Sequence, residues 1–234
     1  MRYREFITER SMRHPVICVD VQPAYDSYER EGRSTAPIMV QIMEFVQKQT
    51  GPILMFVNAE ETGNTDDDIH DIQQYWNDTL CSYTDEEDRF TYNDETNEYE
   101  EAECDTEMNW GNVTIVDKGY GYMRAWMDSG VPENLIIKTI REMYQQKVSD
   151  SRMLFGGEDT EDYVAQMNEF LGTDEYESLY DDNMSVEWTS VARLKQFSGA
   201  YIVGGGRTEC LREVELLMNA FNIKYKRINS LVYG

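Results

Sequence analysis

A cysteine placed shortly after three consecutive glycines offers the most specific chemistry in this chain. Gly204, Gly205 and Gly206 precede Arg207, Thr208 and Glu209, and then comes Cys210. A thiol at the first turn of a helix meets free backbone N–H groups and the positive end of the helix dipole, and both favour the thiolate. A cysteine hydrolase needs two further groups. One takes the thiol proton and returns it, and a cation holds that group charged. Asp20 and Lys118 each close an apolar run and supply the acid–base group and the cation. Backbone N–H groups from Thr208 to Cys210 could form an oxyanion hole. Gln22, Tyr25, Tyr120, Tyr122, Gly205, Gly206, Arg207 and Thr208 flank the three and are the candidate substrate contacts.

These residues need elements that bring them together. Residues 200 to 203 form a short apolar run before the glycines, and from Cys210 onward Leu211, Val214, Leu217, Met218 and Phe221 recur at helical spacing. The spacing therefore predicts a buried strand, a glycine turn and a helix. Residues 15 to 22 read as a first buried strand, residues 35 to 49 as a helix stopped by Gly51 and Pro52, and residues 53 to 58 as a second strand. Residues 113 to 118 read as a third strand. Helices are expected over about 65–76, between Met123 and Gly130, after Pro132, over 161–170 and over 188–197. An edge strand is expected at 223–228, with Leu231 to Tyr233 closing the chain. Strands alternating with helices predict one α/β domain over 1–234, a Rossmann-like, mostly parallel sheet flanked by helices. Such sheets bind ligands beyond the carboxyl ends of their strands, where Asp20, Asn58, Lys118 and the glycine turn all fall.

Three blocks of this pattern resemble the isochorismatase-like hydrolases. Asp20, Gln22 and Tyr25 look like that family's opening motif, Lys118 like its lysine, and Gly204 with Cys210 like its nucleophile turn. The resemblance covers 15–58, 113–130 and 199–228, about half the chain. It implies a Rossmann-like parallel sheet, a Cys-Asp-Lys triad without a cofactor, and hydrolysis of an amide or related bond in a small molecule. Where the family usually has threonine three residues before the cysteine, beside a cis peptide, this chain has Arg207 and then Thr208. Nicotinamidases in the family bind a metal through aspartate and histidine; Asp68 and His70 have that look but lie some ten residues too far on.

Composition limits the alternatives. The formal net charge is −24, which argues against nucleic acid and anionic membrane surfaces as ligands. It leaves room for a basic protein partner, and family habit for a homo-oligomer. Between Glu60 and Glu107 stand nineteen acidic residues and one arginine, Arg89, so 60–110 reads as an acidic insertion and 131–187 as a helical, acidic excursion. Asp66, Asp67, Asp68 and Asp71 offer clustered oxygens for a calcium ion, although no loop motif matches. Two histidines leave no multi-histidine metal site, and no metal is assigned. Four cysteines without zinc spacing make a reducing, cytoplasmic setting the default, with Cys81 and Cys104 the pair available to an oxidising one. No apolar run spans a membrane, and the first residues lack a signal peptide's apolar core.

Two rival readings use the same residues. Asp20 could cap a helix, Lys118 could be a surface lysine, Cys210 could be a small buried residue, and Arg207, Glu209 and Arg212 could form an ion-pair cluster. The protein would then keep the fold without the chemistry, as an acidic interaction or structural protein, viral or regulatory. The glycines with Arg207 also allow a phosphate cradle, but the spacing matches neither nucleotide fingerprint.

Overall fold

The computed structural model describes residues 13–25, 29–30, 33–34, 36–57, 65–82, 90–93, 98–101, 108–117, 127, 131–145 and 188–234. In chain order the strands are β1 (Val16–Val19), β2 (Glu29–Arg30), β3 (Arg33–Ser34), β4 (Ile53–Val57), β5 (Phe90–Asn93), β6 (Glu98–Glu101), β7 (Val113–Asp117), β8 (Ala200–Gly204) and β9 (Tyr225–Val232). The α-helices are α1 (Ala36–Gln47), α2 (Thr65–Ser82), α3 (Glu133–Gln145), α4 (Trp188–Gln196) and α5 (Cys210–Ala220).

Five strands form one sheet in the order β7-β4-β1-β8-β9, and every pairing in it is parallel. This is the α/β architecture expected from the alternation of apolar runs. The short pairs β2–β3 and β5–β6 are antiparallel and separate from it.

The strands are apolar on both sides because helices cover both faces. Along β1, Ile17 and Val19 face a core built with Ile136 and Ile140 of α3, Leu194 of α4 and Leu211, Val214 and Leu217 of α5. Val16 and Cys18 face the opposite core, with Met39, Ile42 and Met43 of α1 and Ile72 and Trp76 of α2. This alternation follows from the two-residue period of a strand. Helix α2 therefore belongs to a main layer although it lies in the acidic stretch. It runs to Ser82, beyond the expected end near Trp76, and Trp76 is fully buried.

The C-terminal segment also differs from expectation. Residues 225–232 make one strand rather than a strand and a separate closing run. Pairing with β8 jumps from Ile202–Arg227 to Gly204–Val232, so the intervening residues bulge out. The bulge lets β9 return to β8 at Gly204, which brings Tyr233 to the carboxyl end of the sheet.

Of the expected helix between Met123 and Gly130 only Met127 is described, and the expected helix over 161–170 lies outside the described residues. Cys18 and Cys210 are free thiols, whereas Cys81 is disulfide-bonded. The disulfide at Cys81 departs from the expected reduced default. No helix among the described residues is long and apolar enough to cross a membrane.

Candidate active site at the carboxyl ends of β1 and β8

Strands β4 and β7 lie on one side of β1, and β8 and β9 on the other. The chain thus reverses its winding between β1 and β8, the kind of switch point beyond whose strand ends open α/β sheets bind ligands. Asp20 is the first residue after β1, and the turn that ends in Cys210 is the first segment after β8.

Asp20 is held in an unusual conformation. Its φ is 55°, in the left-handed region, and it is 2 % exposed. A non-glycine residue there costs on the order of 1 kcal/mol and persists where its surroundings over-determine it. Its N–H donates to Phe56 C=O at 2.8 Å. The next residues are equally fixed: Trp76 Nε1 donates to Val21 C=O at 2.9 Å, and Tyr25 N–H to Gln22 C=O at 3.1 Å. Gln22 is buried and Tyr25 half-buried.

Each glycine of the turn has its own reason. Gly204 has a φ of 118°, and a Cβ there would lie 2.0 Å from Val19 C=O, so β8 closes on β1 only without a side chain. Gly205 donates its N–H to the same carbonyl at 2.8 Å. A Cβ on Gly205 would stand 1.9 Å from Cζ of Tyr233, so the tyrosine ring occupies the room that glycine leaves. Gly206 has a φ of 69° and accepts the N–H groups of Glu209 and Leu211, which starts α5.

Cys210 opens α5 and is 8 % exposed. Glu209, before it, makes no side-chain cap, and the first turn holds an acid, Glu213. Of the expected oxyanion donors, the Glu209 N–H is committed to Gly206 C=O. Arg207 is exposed and folds back onto the last strand: its N–H donates to Tyr233 C=O at 3.1 Å and Nη2 to Val232 C=O at 3.2 Å. Thr208 is exposed. Among the described residues no peptide bond is cis.

Tyr233 is the functional neighbour that the sequence reading missed. Its hydroxyl donates to Asp20 C=O at 2.5 Å, and its N–H to Gly204 C=O at 3.1 Å. Burial pushes its phenol well above the usual value, and the charges of Asp20, Tyr25, Cys18 and Cys210 push the same way. Asp20 thus meets the phenol directly, and the turn that leads to Cys210 meets its ring at Gly205. Cys18, buried on the other face of β1, has its thiol raised by burial and then by Asp20. It is a packing residue, not a second nucleophile.

Lys118 follows β7 directly, and β7 is separated from β1 by β4. Lys118, Tyr120 and Tyr122 lie outside the described residues, as do the side chains of Asp66, Asp67 and Asp68. Among the described residues no group of three or more His, Cys, Asp or Glu could hold a metal ion. No protein-family model matches the chain, and no curated protein or solved structure matches it.

Proposed function

We propose that the protein is a cysteine-dependent hydrolase of small-molecule amides or related bonds, built as an isochorismatase-like enzyme. The observation that carries this reading is the placing of Asp20 and Cys210 in adjoining turns at the switch point, beside one buried tyrosine. The Cys210 thiol gives its proton to the Asp20 carboxylate, and the thiolate adds to the substrate carbonyl carbon. Turn amides at Thr208 and Cys210 hold the developing oxyanion. Asp20 then protonates the leaving nitrogen as the C–N bond breaks, which leaves a thioester on Cys210. Asp20 next takes a proton from water, whose oxygen displaces the thiolate and releases the acid. Lys118 keeps Asp20 ionised between these transfers. Tyr25, Tyr120 and Tyr122 flank a planar substrate.

The burial of Cys210 and the covering of Gly205 by Tyr233 favour a second reading, in which the fold is kept and the chemistry lost. Alkylation separates the two. An active enzyme labels at Cys210 with iodoacetamide at neutral pH faster than a free thiol does, and Cys210→Ser removes both the label and amide hydrolysis. Labelling no faster than that of a free thiol sinks the hydrolase reading. Cys18, 1 % exposed, is the internal control for thiols that react only on unfolding.

A further inference from the structure

We infer that Tyr233 is a positioning residue that locks the Asp20 turn and the Cys210 turn into one unit, so that the site is complete only when the last strand is in place. The inference deepens the hydrolase reading and rests on it for its catalytic consequence, though not for the coupling itself.

Four contacts from one short segment carry it. The Tyr233 hydroxyl holds Asp20 C=O on the β1 side. On the β8 side its N–H holds Gly204 C=O and its own C=O receives the Arg207 N–H. Its ring fills the space over Gly205. The Arg207 guanidinium adds a bond to Val232 C=O. The two turns touch directly through the Gly205 N–H and Val19 C=O. Tyr233 therefore clamps the left-handed Asp20 from the β9 side, as Phe56 C=O does from β4. A backbone held at positive φ by its surroundings relaxes when a surrounding contact is lost. Releasing the hydroxyl should free Asp20 and, through Gly204 and Gly205, the loop that aims Cys210. The phenol stays neutral because it is buried, with Asp20 as the next cause, which suits a donor to a carbonyl.

The test uses the full-length chain and Tyr233→Phe, which keeps the ring over Gly205 and removes only the hydroxyl. Hydrogen exchange is followed at the amides of Asp20 and Tyr25, of Gly205, Glu209 and Leu211, and of α3 as a reference helix. The expected result is exchange about five- to tenfold faster in both turns, with α3 unchanged, in line with the loss of one buried hydrogen bond. Unchanged exchange at Asp20 and Tyr25, or an equal rise in α3, overturns the coupling. Iodoacetamide labelling of Cys210 against pH is read on the same samples. If positioning matters for chemistry, the variant's labelling falls at neutral pH and its pH profile moves up, while Cys18 stays unlabelled. An activated wild-type thiol with an unaltered profile in Tyr233→Phe refutes positioning and leaves the hydrolase reading intact. A wild-type thiol no faster than a free one refutes the hydrolase reading, and the exchange data then decide the coupling alone.

Discussion

Helix α5 carries two polar networks that treat charge in opposite ways. On its outer side Glu215, 3 % exposed, receives Arg212 at 2.8 Å and Arg227 at 3.3 Å, and Arg212 also holds Glu133 at the start of α3. Every charge there has an opposite neighbour. Glu133 raises the Arg212 guanidinium, burial opposes it, and Glu215 raises it further. At the first turn of the same helix the pattern reverses. Burial raises Tyr233, and each of Asp20, Tyr25, Cys18 and Cys210 raises it further. The outer network fastens α5 to α3 and β9. The inner one holds a buried phenol and a buried thiol, Tyr233 and Cys18, whose ionisation burial and Asp20 both oppose. Its two turns are joined through glycines and carbonyls.

That contrast predicts where the molecule is brittle. Gly204→Ala puts a methyl group 2.0 Å from Val19 C=O at a φ of 118°. The obstacle is backbone on the central strand, which cannot swing aside. We expect a loss of more than ~3 kcal/mol in urea unfolding, or no folded protein. A stable Gly204→Ala chain would mean that β1 and β8 are not this close.

On the outer side, Glu215→Ala removes the shared partner of two arginines. Breaking a fully buried pair costs about 3–5 kcal/mol. Here Arg212 and Arg227 are 26 % and 32 % exposed and can regain water, so about 2 kcal/mol is expected. The same substitution should leave Cys210 labelling unchanged. A change in labelling would show that the two networks are one.

The difference between them also explains what could be read from sequence. The apolar run 16–19, the glycines and the helical spacing after Cys210 are local signals, so the strands, the parallel sheet and the placing of Asp20 and Cys210 at strand ends were legible. Tyr233 was not. Its role depends on the bulge that returns β9 to Gly204, and on a contact with Asp20 spanning 213 positions. A terminal Leu-Val-Tyr shows no more than apolar character. Trp76 was read as a helix-face aromatic, and its bond to Val21 C=O needs the packing of α2 under β1. Gly205 and Gly206 stand in the sequence as candidate substrate contacts. Gly204 and Gly205 instead admit Val19 and Tyr233, which the sequence names but does not place. Lys118 falls outside the described residues, so the cation of the triad rests on its place in the sequence.

Alkaline titration sharpens the comparison next. Tyr233 and Cys18 have folded-state pKa values raised above the ordinary 10.0 and 9.0. A raised value means that the folded state holds its proton more tightly. The stabilisation is complete below the unfolded value and is lost as pH rises toward the folded one. Stability should therefore decline from about pH 9 through Cys18, and more steeply from about pH 10 through Tyr233, by up to ~1.4 kcal/mol per pH unit per group. Urea midpoints between pH 8 and 11 measure this, and Tyr233→Phe should flatten the portion above pH 10. Tyr225, raised by its own burial and by Glu215, adds a smaller decline in the same range. A wild-type midpoint that stays level to pH 11 would mean that the inner phenol is not buried among these groups.

The smallest effect falls on the most exposed pair. Glu133→Gln keeps the shape of the side chain and removes its charge, and the carboxylate it replaces is 53 % exposed. Water screens such a pair, so about 0.5 kcal/mol is expected at low salt. At high ionic strength the difference should vanish, because the screening length falls to a few Å. The inner network is joined by hydrogen bonds and ring packing. Its order comes from Gly205, Tyr233 and the carbonyls of Val19 and Asp20, so salt should leave the effect of Tyr233→Phe on turn exchange unaltered. Measured together, the two variants split by salt: one difference disappears and the other persists. If both fade with salt, the inner turns are held by charge after all, and the distinction between the two sides of α5 falls.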